Sequence, residues 1–201
     1  SRVAPGPGSP GVRAGRLAAG ARRGQHRSVG ARPDMVEIKR RQSFEAGHRL
    51  KFMVLVDETP ECDRAVHFAV RRAARLGARV VMLAVAEPPE TMEWLGVGDA
   101  MRAEAEAETR ARLEVLAASA RQAAGVDPEL VVRTGERADA ILRQIEADED
   151  IAFLVLGAAA GTDGPGPLVT SIAGRSAGSF PVPVVIVPGA LSEAEITALA
   201  G

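Results

Sequence analysis

The chain has 201 residues, 46% hydrophobic and 25% charged, with a net charge of −1. That is enough for one globular domain with a sizeable core plus an appendage, and so even a charge balance gives no electrostatic footprint for nucleic acid. A single cysteine, Cys62, excludes an intramolecular disulfide and suits a reducing compartment, taken here as the cytoplasm. No apolar run approaches the ~18–20 residues of a membrane span, and with 3% aromatics and no tyrosine, stacking platforms for bases or sugars are scarce.

The charge is unevenly spread. Residues 1–34 hold seven arginines and one acid, Asp34, in a Gly/Pro/Ala-rich stretch with no apolar period. Such a segment cannot bury enough surface to offset its ordering entropy, so it is expected to be a disordered leader. It is Arg-rich and acid-poor like an organelle transit peptide, but lacks the amphipathic helix of one. The change of composition at Met35 is expected to mark the natural start. Residues 35–50, "MVEIKRRQSFEAGHRL", read as a basic extension ahead of the domain.

"KFMVLV" (51–56) is a near-continuous apolar run, the pattern of a strand buried on both faces. Asp57 ends it. Thr59 followed by Pro60 reads as an N-cap and first helical position. Ala65, Val66, Ala69, Ala73 and Leu76 then recur at helical spacing, and Gly77 supplies the stop. "RVVMLAVA" (79–86) is a second buried strand. A loop with Trp94 follows (87–99), then a long Ala/Glu/Arg helix over 100–124 whose apolar positions are Met101, Ala105, Leu113, Leu116 and Ala120. "PELVVRT" (128–134) is a third strand, Ala138, Ile141, Leu142 and Ile145 mark a third helix, and "IAFLVLG" (151–157) is a fourth strand. A Gly/Pro loop leads into a short helix over about 168–178, "PVVIVP" (183–188) is a fifth strand, and Ser192 with Glu195 forms a capping box for a last helix within 190–201. Strands alternating with helices predict a single three-layer α/β domain: a five-stranded parallel sheet flanked by helices, with right-handed crossovers. Ligands of such sheets bind beyond the carboxyl ends of the strands, at the topological switch point. Asp57, Val85 and the 157–171 loop all stand at such ends.

Asp57 can accept a hydrogen bond from an exocyclic amine or a ribose hydroxyl; equally, it can cap the following helix or lie in solvent. The P-loop pattern G-x4-G-K-[ST] is absent, and the only lysines are Lys39 and Lys51. "GVGDAM" (96–101) holds two of the three glycines of a dinucleotide fingerprint but follows a polar loop instead of a strand. What the 157–171 loop offers is a helix N-terminus expected to carry Thr170 and Ser171, where unpaired N–H groups favour an anion. Catalytic readings are poor. His26 and His48 precede the domain. His67 lies five residues after Cys62, on another face of one helix, so the two make neither a zinc ligand set nor a dyad. "EAEAET" (104–109) reads as a solvated helix face, and Trp94 as a packing anchor.

"VLVD" ending in Asp57, "AVAEPPE", "GERADAIL" (135–142), "LVLG" with its glycine loop and "PVPVVIVP" occur in an order and spacing that resemble the universal stress protein family across 51–188. The resemblance implies an adenine-nucleotide α-hydrolase-like, Rossmann-like domain over 51–189. It also implies a homodimer, formed through the last strand (Val184, Val185, Ile186, Val187). The ATP-binding branch of the family carries G-x2-G-x9-G-[ST]. Laid on this chain, Gly157 takes the first glycine, Ala160 the second, Thr170 the third and Ser171 the hydroxyl. The register is kept while two of three glycines are lost. The adenine contact would be Asp57, with a backbone contact at Val85 on strand two, and Ile172 would belong to the same site. Ala160 and Thr170 are expected to restrict the phosphate space, and Pro165 and Pro167 remove two N–H donors. The implied function is a non-catalytic stress-response accessory dimer with a weakened or absent site for ATP or AMP, no metal, and no nucleic-acid or membrane partner. The alternatives are an ATP- or AMP-binding switch of the same family, or an enzyme of the wider adenine-nucleotide α/β group; slow ATP hydrolysis is compatible with the first. Restoring glycine at 160 and 170 is expected to tighten ATP binding.

Overall fold

The computed structural model describes residues 40–86, 98–161, 164–176 and 178–201. The leader 1–34, residues 35–39 of the extension, Trp94 and the first glycine of the 96–101 pattern, Gly96, lie outside them. Residues Met35–Gly201 form one unit.

Five strands make one sheet: β1 (Lys51–Val56), β2 (Arg79–Ala86), β3 (Glu129–Thr134), β4 (Ile151–Ala158) and β5 (Val184–Pro188). They are ordered β3-β2-β1-β4-β5, and every pairing is parallel. Among the described residues, six helical segments surround the sheet: α1 (Cys62–Leu76), α2 (Gly98–Ala124), α3 (Arg137–Ala147), α4 (Pro167–Ser171), a π-helical turn (Ile172–Ser176) and α5 (Glu193–Ala200). This is the three-layer α/β architecture that the alternating sequence pattern predicts.

Side-chain alternation along each strand divides the core in two. Phe52, Val54 and Val56 of β1 and Val80, Met82 and Ala84 of β2 point toward α1, α2 and α5, where they meet Ala65, Ala69, Leu113 and Ile196. Met53, Leu55, Val81 and Leu83 point the other way, to Ile141 and Ile145 of α3 and Val169 of α4. Phe52 stacks on Phe153 with ring centroids 4.9 Å apart. Because β1 is the central strand and its neighbours run outward in opposite chain order, the switch point lies between the carboxyl ends of β1 and β4. Asp57 follows one and Gly157 lies at the end of the other.

Three local expectations are corrected. The first helix starts at Cys62 and not at Pro60. Thr59 does not cap it: the Thr59 amide and hydroxyl both donate to Asp57 Oδ1, at 3.0 and 2.6 Å, closing an Asx-type turn before the helix. The expected helix over 168–178 is only a five-residue α-helix that widens at Ile172 into a π turn; Gly174 inside that stretch lowers its α-helical preference. The face read as solvated at 104–109 is interrupted by Thr109, which is buried one turn from Ala105 and one from Leu113. The stops and caps fare better. Gly77 adopts φ 64° in the left-handed region, and Ser192 and Glu195 form the complete capping box.

The extension ahead of β1 is bonded to the amino end of the sheet. Arg41 Nη1 donates to the carbonyls of Ile145 and Asp148, at 2.6 and 3.1 Å. Ser43 Oγ donates to Asp150 O at 2.9 Å, and His48 Nδ1 lies 2.6 Å from Asp150 Oδ1.

Candidate functional site

Among the described residues, two hollows open at the carboxyl end of the sheet. The larger encloses about 380 Å³, within the range of about 300–1,000 Å³ usual for small-molecule sites. Its floor is Leu55, Val56 and Val85, and its walls carry Asp57, Glu58, Thr59, Glu108, Thr109, Arg112 and Arg137. The smaller encloses about 90 Å³ between the β1–α1 turn and the loop entering α4, with Gly157 and residues 165–169 on one side and Glu61 and Cys62 on the other. Leu55, Asp57, Thr59 and Arg137 border both.

Each wall has a local cause. The Asx turn fixes Asp57 at the junction: one carboxylate oxygen takes both Thr59 bonds. The backbone of Asp57 is tied down as well, its amide pointing to Cys62 Sγ at 3.4 Å. Glu58 and Arg112, 54 residues apart in sequence, join across the larger hollow at 2.5 Å and tie α2 to the β1–α1 turn. Arg137 is the first residue of α3. The N–H groups of that helix start are met internally, since the Glu136 carboxylate accepts from Asp139 N at 2.9 Å. These backbone bonds hold the Glu136 carboxyl below the usual range.

Gly157 does not need a left-handed backbone. Its role is close approach: a Cβ there would stand 2.7 Å from the carbonyl oxygen of Glu61, so glycine lets α1 begin against β4. The positive-φ glycines of the loop are instead Gly164 (95°) and Gly166 (97°). The expectation that Thr170 and Ser171 open the helix is corrected. Gly166 is the N-cap, and Thr170 lies a turn inside, its amide and hydroxyl both bonded to Gly166 O at 3.0 and 2.8 Å. The cause is Pro167, which starts the helix three residues earlier.

Cys62 is buried beneath the smaller hollow, and burial pushes its thiol up to about 11. It is therefore protonated and a poor nucleophile near neutral pH. His67 turns toward α5, its Nε2 3.1 Å from Thr197 Oγ1; burial, then the Arg71 charge, lowers its proton affinity.

The model of the universal stress protein family matches residues 49–188, well over half the chain. The chain belongs to the universal stress protein family. Solved family structures have the same fold. One from Burkholderia pseudomallei is 19% identical, covering 69% of this chain and 95% of that one with a TM-score of 0.51. One from Archaeoglobus fulgidus is also 19% identical, covering 69% and 93%, with a TM-score of 0.50. The UspA of Lactobacillus plantarum is 22% identical, covering 69% and 97%, with a TM-score of 0.48. No curated protein shows significant similarity to the sequence.

Of the residues assigned to a nucleotide by the family pattern, Asp57 borders both hollows, Val85 the larger and Gly157 the smaller. Ala160, Thr170 and Ser171 are exposed and line neither, and Ile172 is buried in the core beneath α4. Sequence reasoning did not assign Glu58, Thr59, Glu108, Thr109, Arg112 or Arg137 to the site. Thr109 carried a signal as a polar residue at an apolar position of the α2 stripe, and Arg137 stands inside the 135–142 motif. Among the described residues no group of three His, Cys, Asp or Glu side chains is placed to hold a metal, and no helix is long and apolar enough to cross a membrane.

Proposed function

We propose that this protein is a non-catalytic accessory dimer of the universal stress type whose larger hollow takes an adenine nucleotide. The observation that carries the reading is the hollow of about 380 Å³ beyond the carboxyl ends of β1 and β2, with Val85 on its floor and the carboxylate of Asp57 in its wall. An apolar floor suits a base, and a carboxylate suits an exocyclic amine or a ribose hydroxyl. Against turnover stand the protonated Cys62 thiol and the engagement of His67 with α5. The dimer reading rests on β5, an edge strand whose Ile186 is 40% exposed. Such an edge is an aggregation hazard unless it is covered.

The test is calorimetric titration of the purified protein with adenosine, AMP and ATP, with mass analysis of any nucleotide released on denaturation. Saturable adenosine and AMP binding is expected; none would end the nucleotide reading. Light scattering is expected to show a dimer that Ile186→Lys converts to monomer, and a wild-type monomer at all concentrations would end the dimer reading.

A further inference from the structure

One wall of the larger hollow is a stripe of α2. Ala105, Thr109 and Arg112 recur at helical spacing and line it together with Asp57, Glu58 and Thr59 of the β1–α1 turn. Arg112 Nη1 donates to Glu58 Oε1 at 2.5 Å, which places the guanidinium between α2 and that turn. The two partners are unlike. The Arg112 side chain is 33% exposed and that of Glu58 83%. Among the described residues, the Glu58 contact is the one ion pair of Arg112, and the Arg112 Nε is buried with no hydrogen-bond partner. Glu58 therefore meets the guanidinium at a single nitrogen.

A guanidinium stays charged at any ordinary pH, so it takes an anion or water as its partner. Glu58 loses little by leaving it. Water solvates so exposed a carboxylate nearly as well, and a surface ion pair contributes little to stability. A phosphate monoester carries about two negative charges near neutral pH. It meets a guanidinium through two parallel charge-assisted hydrogen bonds, where Glu58 uses one. For a ligand already seated on the floor of the hollow, the exchange therefore favours phosphate over Glu58.

We propose that the Glu58–Arg112 pair is a displaceable latch on the larger hollow: the phosphate of a nucleotide takes the Arg112 guanidinium from Glu58, and the Glu58 carboxylate swings into solvent. This rests on the nucleotide reading above and adds to it the residue that receives the phosphate and the internal competitor that limits its affinity. The latch opposes only ligands with an anionic group that reaches Arg112. A free nucleoside leaves the pair closed.

The experiment titrates adenosine and AMP into wild-type protein, Glu58→Gln, Arg112→Gln and the double variant, with a melting curve for each. Glu58→Gln is expected to bind AMP about threefold to fivefold more tightly, the strength of one surface ion pair, and to leave adenosine within about twofold. Its melting curve is expected to match that of wild type. Arg112→Gln is expected to weaken AMP about tenfold, one charge-assisted contact, and to leave adenosine within about twofold. In the double variant the gain from Glu58→Gln is expected to vanish, because there is no cation left to release. Unchanged or weaker AMP binding in Glu58→Gln overturns the inference and leaves the nucleotide reading intact. So does a gain that persists without Arg112 or extends equally to adenosine. Where Arg112→Gln does not fold, the contrast between AMP and adenosine in Glu58→Gln decides alone. Absence of adenosine and AMP binding to wild type overturns both.

Discussion

At the amino end of the sheet, Lys51 Nζ lies 2.9 Å from both Glu129 Oε2 and Asp148 Oδ2, and His48 holds Asp150 at 2.6 Å. At the carboxyl end, Asp57, Glu61, Glu108 and Arg137 border open hollows. The residue types are the same, and the environments are opposed. The extension 40–50 covers the amino end and satisfies its carbonyls, so charge there is spent on neighbouring charge. Nothing comparable among the described residues covers the carboxyl end, where the strands' divergence leaves a crevice. The contrast implies a division of labour: changes at the amino end cost stability and spare binding, and changes at the carboxyl end do the reverse.

The largest effect that sharpens this contrast is expected from Lys51→Met. The Lys51 side chain is 12% exposed. Burial alone would lower its proton affinity, but the hydrogen bonds and charges of Asp148 and Glu129 outweigh it and hold the lysine above its ordinary value. Removing the ammonium strands two carboxylates. Hydrogen bonds to charged groups contribute about 1.5–3 kcal/mol each, and Glu129 is solvated enough to recover part of its share. A loss of about 2–3 kcal/mol in urea unfolding is expected, with AMP affinity unchanged. A fall in AMP affinity with it would break the division between the two ends.

Cys62 is the exception at the carboxyl end, a titratable group tied into the core. Its thiol rises from 9.0 to about 11 on folding. A raised folded value means that the unfolded chain loses its proton first as pH rises. The stability it contributes is therefore whole below pH 9 and declines through the window from 9 to 11. About 1.5 kcal/mol is expected to be lost between pH 9 and 10.5. Denaturant melts of wild type and Cys62→Ala across that range check it: the variant is expected to show a flatter profile, and parallel slopes would refute it.

The layout of the sheet was legible because its strands are buried on both faces and read as unbroken apolar runs, as in "KFMVLV" and "RVVMLAVA". Helix stops were legible where glycine was needed, as at Gly77 with φ 64°. The start of α1 was not, because a Thr-Pro pair satisfies the rules of an N-cap equally well whether Thr59 caps the helix or bonds backward to Asp57. Asp57, Val85 and Gly157 were found because they fall at strand ends. Arg112 and Arg137 were missed for the converse reason: they come from the middle of one helix and the start of another, and only the packing of α2 and α3 on opposite faces of the sheet brings them to one opening. The glycine pattern defines a register and not a helix start. It ties residues 160 and 170 to a phosphate by register alone, and register does not report where α4 begins.

Asp57→Asn separates the two uses of one carboxylate. Asparagine keeps an oxygen at Oδ1 for the Thr59 amide and hydroxyl, so the turn and the melting temperature are expected to hold within about 2 °C, a few tenths of a kcal/mol. What is lost is the charge that strengthens a bond from a ligand amine or hydroxyl. A weakening of about fivefold for both adenosine and AMP is expected by calorimetry, about 1 kcal/mol. Equal loss for the two ligands places Asp57 at the nucleoside. Loss for AMP alone would assign it to the phosphate end.

The smallest effect is expected where the family pattern points most strongly. Ala160→Gly with Thr170→Gly restores both missing glycines, and a site controlled by the loop would gain ATP affinity. In this structure Ala160 and Thr170 are exposed and border neither hollow, and Thr170 Oγ1 is turned back onto Gly166 O at 2.8 Å. Removing that hydroxyl and adding a second glycine frees α4 rather than enlarging the hollow; a glycine inside a helix costs about 0.5–1 kcal/mol. The double variant is therefore expected to change AMP and ATP affinity by less than threefold while melting a few degrees lower. Tenfold tighter ATP binding would return control of the site to the loop before α4.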